Sequence, residues 1–113
     1  MIADKCLMAL LAVRHVGGLS ARQIAQTIRV RPTTVSGWLT GRGTLTELQA
    51  ERLLELSTVV ERLARLLDSA SIPIWLNTPI PALGGEKPID RIAVGDDHAV
   101  AKLISGLEDP GTS

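Results

Sequence analysis

The tetrapeptide Gly95-Asp96-Asp97-His98 sets two carboxylates beside an imidazole, the combination that metal binding or general acid–base chemistry requires. It stands alone. His15 and His98 are the only histidines, and the single cysteine, Cys6, is near neither in sequence, so no zinc-ligand spacing exists. A helix start explains the tetrapeptide more simply. Asp96 as N-cap and Asp97 in the first turn put carboxylates where a helix N-terminus favours them. Gly84-Gly85 followed by Lys87 lacks the glycine spacing and the Lys-Ser/Thr pair of a phosphate loop. No serine, histidine and aspartate grouping suggests a nucleophile. The sequence reads as a non-enzyme, with no metal and no cofactor.

What remains is charge. The 113 residues carry 12 basic and 12 acidic side chains, but not evenly. Up to Thr46 six basic residues face Asp4 alone, a net +5; from Glu47 onward six basic residues face eleven acidic ones, a net −5. Such a split suggests two partners: phosphate attracts the first half and repels the second. An apolar content of 45% argues for a folded chain, one modest domain or two lobes sharing a core. There is no Phe and no Tyr, so Leu, Ile, Val and Ala must build that core, and with only Trp38 and Trp75, far apart in sequence, stacking of single-stranded bases on aromatic platforms is disfavoured. Cys6 lies in the run CLMALLAV and reads as a buried, inert thiol, with no sign of an oxidising compartment. That run is shaped like a short signal-peptide core, but Arg14 and His15 interrupt it and no clean cleavage site follows. No apolar stretch approaches the roughly 20 residues of a membrane span. The expected location is the cytoplasm, away from membranes.

Helical periodicity dominates. Ile2 to Val16 reads as a first helix ended by Gly17-Gly18, and Ser20 caps a second over Ala21 to Ile28. Arg29-Val30-Arg31 is a turn, and Pro32 opens a third helix that runs to about Thr40. Thr46 caps a long fourth helix, Glu47 to Asp68. Its residues Leu53, Leu56, Val60, Leu63 and Leu67 form a seam for packing inside the chain or against a second copy. Four of the six prolines then break the chain into short turns, at 73, 79, 81 and 88. Asp96 caps a last helix, with Val100, Leu103, Ile104 and Leu107 as its buried stripe. The tail from Glu108 is expected to be loose. No strand-like alternation appears. The fold class is all-α: a helix-turn-helix lobe (1–44), a long linking helix (45–70) and a lobe of short helices (71–113).

The stretch Leu19 to Gly43 has the spacing of a helix-turn-helix. Ala25 is small where two helices cross, and Ile24, Ile28, Val30, Val35 and Trp38 face inward. It resembles the Xre/Cro-type family over about the first 45 residues. The turn position usually held by glycine is Arg29, which must accept an unusual backbone geometry. The reading helix, PTTVSGWLTG, has no Arg, Lys, Asn or Gln. The candidate DNA-binding residues are Thr33, Thr34, Ser36 and Gly37 on that helix, with Arg22, Arg31 and Arg42, and Arg29 beside them, on phosphates. Hydroxyls discriminate bases poorly, so direct readout is weak or needs the module repeated in an oligomer.

Asn77 to Leu107 is the most informative stretch. Asn77, Pro79, Leu83-Gly84-Gly85, Pro88-Ile89, Gly95, Val100 and Ile104 resemble the toxin-binding domain of the Xre/MbcA/ParS antitoxin family. The domain follows an Xre-like helix-turn-helix and a long helix, in the family's order. The resemblance implies a type II antitoxin whose partner is a RES-domain toxin, with an ADP-ribosyltransferase-like fold and NAD as substrate. It implies that the C-terminal lobe covers the toxin's active site while the N-terminal lobe represses the operon. The candidate toxin-binding residues are Asn77, Pro79, Leu83, Gly84, Gly85, Pro88, Ile89, Ile92, Val100 and Ile104. Ile80, Ile89, Ile92 and Val94 form either a docking patch or the lobe's own core. An acidic half also suits a partner whose pocket attracts an anionic dinucleotide. The expected partners are the toxin, operator DNA, and further copies in a homo-oligomer or a toxin–antitoxin hetero-oligomer. The alternative is a stand-alone repressor whose C-terminal lobe dimerises or senses a ligand.

Overall fold

Seventeen residues of α4 (Glu47–Leu63) make the spine of the molecule. In the computed structural model, which describes residues 3–109, eight further elements surround it. They are α1 (Asp4–Leu11), a π-helical turn (Ala12–Val16), α2 (Ala21–Ile28), α3 (Pro32–Leu39), α5 (Ser71–Leu76), a 3-10 turn (Pro81–Leu83), α6 (Pro88–Ala93) and α7 (Asp97–Glu108). The fold is all-α, as the periodicity indicated; the described residues hold no strand, only an isolated bridge between Ile80 and Glu86.

Local chemistry sets the helix starts. Ser20 and Gln23 form a reciprocal capping box at α2: Gln23 N donates to Ser20 Oγ (3.1 Å) and Ser20 N to Gln23 Oε1 (2.9 Å). Thr46 and Gln49 repeat it at α4, at 3.1 and 2.8 Å. Pro32 and Pro88 open α3 and α6, where a missing N–H costs nothing. The α2–α3 turn passes through Arg29 at φ 67°, the one non-glycine residue with positive φ among the described residues. There the Arg29 and Val30 amides close the end of α2 on the carbonyl of Ala25.

The seam on α4 is used inside the chain. Leu53, Leu56, Val60 and Leu63 are fully buried, each worth about 1.5–3 kcal/mol of burial. α4 touches α1, the π turn, α2, α6 and α7, so one continuous core runs from Cys6 to Ile104 through all three sections of the chain. Ile24, Ala25, Ile28, Val35 and Trp38 are buried in it as the helix-turn-helix spacing required, with Val30 partly so, and Cys6 is a buried free thiol.

The sequence reading needs four corrections. The first helix does run on to Val16, but it is α-helical only to Leu11. It widens into the π turn, where Gly17 N reaches back five residues to Ala12 O (3.0 Å), and a Cβ added at Gly17 would run into Val13 O and both methyls of Val60. Ile2 lies outside the described residues. The fourth helix stops at Leu63 rather than Asp68: the chain tightens there, and Asp68 Oδ1 instead accepts from Ser71 N to open α5 (3.1 Å). Asp96 is at the N-cap position of α7 but makes no capping bond, because its carboxylate is taken by Arg91 Nη1 (2.8 Å). Finally, Leu107 is not core and Leu103 only partly so: Val100 and Ile104 of that stripe are buried, Leu103 packs partly buried against the core, and Leu107 is 49% exposed.

Candidate functional site

One side of α7 leaves apolar surface open, as do Met8, Leu48, Ile74 and Val94 elsewhere. Val100 and Ile104 point into the core. Ala99, Leu103, Gly106 and Leu107 recur at helical spacing on another side and remain wholly or partly open. With Ala82, Leu83 and Lys102, the first three line a groove of about 500 Å³ between α7 and the 3-10 turn. Its lining is mainly apolar, with the Lys102 ammonium at its rim. Gly106 is a glycine inside a helix, a placement that costs up to about 1 kcal/mol relative to alanine. Nothing in the chain requires it, since a Cβ there would meet no atom within 4 Å.

Arg91 fixes the neighbouring wall. From α6 its Nη2 donates to Leu83 O (3.2 Å) and its Nη1 to Asp96 Oδ2 (2.8 Å), tying the Leu83-Gly84-Gly85 turn to the start of α7. Gly84 and Gly85 both have positive φ (69° and 82°), the conformation that lets the chain turn back and close Gly85 N on Ile80 O. Arg91 Nε is 3.6 Å from Glu86 Oε2, too long for a hydrogen bond, so that ion pair adds little.

The far end of α7 is held by a second arginine. Arg62 of α4 donates through Nε to Glu108 Oε2 (3.1 Å), through Nη2 to Glu108 Oε1, and also to Ser105 Oγ (3.0 Å). The hydrogen bond from Arg62, then its charge and that of Arg65, hold the Glu108 carboxyl below its ordinary value. Glu55, facing the start of α7, is pushed the other way, first by desolvation and then by Asp97. The signs give opposite responses to acid. Protonating Glu55 relieves a cost of folding as pH falls through its raised value. The Arg62–Glu108 contact contributes above the ordinary carboxylate range and is lost as pH falls through the depressed one. On acidification the last turn of α7 is therefore expected to loosen while α4 stays intact. Amide exchange of Ser105–Glu108 followed against pH checks this, and Arg62→Gln should show the loosening already at neutral pH.

The ten residues singled out for toxin binding divide by depth. Leu83, Pro88, Ile89, Ile92, Val100 and Ile104 are buried in the chain's own core. Their side chains shape the lobe, packing with Ile72 and Leu76 of α5, and of them Leu83 alone also reaches the wall of the groove. Asn77 is half-buried, with Nδ2 donating to Pro73 O (2.8 Å) at the end of α5. Pro79, Gly84 and Gly85 are exposed. Of the hydrophobic quartet, Ile80 is partly buried and Val94 is 59% exposed. Sequence reasoning did not single out the groove residues Ala82, Ala99, Lys102 and Gly106, and it placed Leu103 and Leu107 in the buried stripe of the last helix. The signal was present: α7 has more apolar positions than one face can bury.

On the helix-turn-helix, Arg22, Arg31, Thr33, Ser36 and Arg42 are exposed, and Thr34 and Gly37 half-exposed. Arg29 is exposed as well, and its Nε donates to Ala93 O of α6 (3.4 Å), joining the turn to the C-terminal lobe. Among the described residues no cluster of His, Cys, Asp or Glu suits a metal ion, and no helix is long and apolar enough to cross a membrane.

Residues 62–109, the span that holds the groove and begins at Arg62, match the family described as the antitoxin Xre/MbcA/ParS C-terminal toxin-binding domain. The chain is also 28% identical over 90 residues to the mycobacterial cidal antitoxin MbcA of Mycobacterium tuberculosis and of Mycobacterium bovis, covering 80% of both chains. In sequence, the C-terminal part of this chain is therefore similar to the toxin-binding domain of the Xre/MbcA/ParS-type antitoxins. The fold agrees: a chain in the crystal structure of the M. tuberculosis MbcT-MbcA toxin-antitoxin complex matches with a TM-score of 0.85, over 98% of this chain and 99% of that one, at 23% identity. The match runs through both halves, so the helix-turn-helix, spine and C-terminal lobe share one arrangement in the two proteins.

Proposed function

We propose that this chain is an antitoxin that neutralises a cognate RES-domain toxin, an NAD-consuming or ADP-ribosylating enzyme, by covering its active site. The observation that carries the reading is that the toxin-binding family match, residues 62–109, falls on the part of the chain that leaves an apolar groove open. An uncovered groove lined by Leu83, Ala99 and Leu103 suits the buried centre of a protein–protein interface. The side chain of Lys102 and the exposed Glu86 and Lys87 of the neighbouring loop supply a polar rim. In this arrangement α7 and the Leu83-Gly85 turn meet the toxin, and the buried Leu83, Ile89, Ile92, Val100 and Ile104 hold them in place.

The chain also represses its own operon through the helix-turn-helix. The support is the net +5 before Glu47 and the exposed Arg22, Arg31 and Arg42, whose side chains have no hydrogen-bond or ion-pair partner within the described residues. The protein works in the cytoplasm and catalyses no reaction of its own.

Co-expression with the adjacent reading frame tests the main reading. The neighbour alone should deplete cellular NAD and stop growth; with this chain present both should recover, and the two proteins should co-purify. A harmless neighbour that does not co-purify would leave a repressor with a regulatory C-terminal lobe.

A further inference from the structure

α3 should be the part of a helix-turn-helix that reads bases, yet the structure leaves it little to read them with. Ser36 Oγ donates to Pro32 O (3.1 Å) and Thr40 Oγ1 to Gly37 O (2.9 Å), so both hydroxyls are bonded to the helix's own backbone. Of the α3 hydroxyls, those of Thr33 and Thr34, both in the first turn, have no partner among the described residues. A hydroxyl both donates and accepts, so it does not tell one base edge from another.

Gly37 is the second observation. It lies in the interior of α3, on the solvent side opposite the buried Val35 and Trp38. A Cβ there would meet nothing within 4 Å. The fold therefore gains nothing from a residue that weakens its helix. Glycine in such a place lets another molecule come close to bare backbone. Three exposed guanidiniums frame the helix in sequence: Arg31 immediately before α3, Arg42 just after it, and Arg22 in the first turn of α2.

The geometry points to a reading helix that recognises duplex DNA by groove shape and phosphate rather than by base edges. The bare backbone at Gly37 seats against the duplex while Arg22, Arg31 and Arg42 hold phosphates. This rests on the DNA-contact reading above and specifies its mode. Sequence preference then comes from how readily a site takes the required groove width, and the affinity carries a strong salt dependence.

The test is fluorescence anisotropy of the full chain, with and without its toxin. Two duplexes are compared across a range of KCl, its own upstream DNA and a shuffled one of the same composition. The two affinities should lie within roughly tenfold, far short of the 10³ or more of base-reading proteins. Arg22→Ala, Arg31→Ala and Arg42→Ala should each weaken both duplexes alike and lower the salt slope by about 1. Gly37→Ala should raise the melting temperature yet weaken binding to both duplexes. Discrimination of a thousandfold, or Gly37→Ala binding like wild type, overturns the mode while leaving DNA contact intact. No binding to either duplex at low salt overturns the DNA-contact reading and this mode with it.

Discussion

Leu107→Glu and Gly106→Arg should each cut neutralisation of the toxin severely while leaving the chain folded. Leu107 is half-exposed, and Gly106 faces open space, so neither substitution disturbs the core. Surface changes of this kind shift stability by about 0.5 kcal/mol or less. At an interface centre the balance differs. A carboxylate buried in an apolar contact has no partner, and a guanidinium at Gly106 fills the space into which the toxin's surface must fit. Each then costs about 2–4 kcal/mol, the size of an interface hot spot, or roughly a 30- to 1000-fold loss of affinity. Titration of purified toxin and growth of cells expressing both proteins measure the effect. Ile104→Ala would be a poor substitute, since it removes fully buried surface and costs about 2–5 kcal/mol of folding instead. Wild-type affinity in both variants would place the docking face elsewhere.

Gly17→Ala should be the most damaging small substitution in the N-terminal half. Its Cβ would come within 2.7 Å of Val13 O, a backbone atom, and 3.0 Å of both Val60 methyls. Val13 and Val60 are fully buried, so neither can swing aside. Relief requires moving the π turn away from α4, at a cost of about 1–3 kcal/mol. For a domain of this size that lowers the melting temperature by roughly 5–20 °C. Gly37→Ala, the same chemical change in open space, should move it the other way. The pair of melts is diagnostic: equal and small effects would mean that Gly17 is not wedged against the spine.

Much of this architecture was legible because its signals are local. Ser20 with Gln23, Thr46 with Gln49, and the prolines at 32 and 88 each declare a helix start within four residues. Arg29 in a position that wants glycine was visible from the turn spacing, and the positive φ is what the spacing asked for. The order of helix-turn-helix, long helix and Pro/Gly-divided lobe carried the family resemblance. What stayed hidden depends on contacts distant in sequence. After Leu63 the backbone bonds shorten to three-residue spacing and Asp68 accepts from Ser71 N, a change that an unbroken run of helix formers does not reveal. Asp96 looked like a capping residue until Arg91 was seen to hold it. Leu103 and Leu107 looked like core because a hydrophobic period reports only that one side of a helix is apolar. It does not say whether the chain itself covers that side. The same limit works in reverse for Ile89 and Ile92, apolar residues in a choppy segment that turn out to be filled in by α2, α4 and α7.

The central claim is that the chain meets its toxin through α7 and the turn before α6. Hydrogen exchange of the intact toxin–antitoxin complex, compared with the chain alone, tests it most directly. The account expects new protection over residues 81–86 and 99–108, with α2 and α3 unchanged. Protection confined to the helix-turn-helix, with α7 exchanging as it does in the free chain, would contradict it.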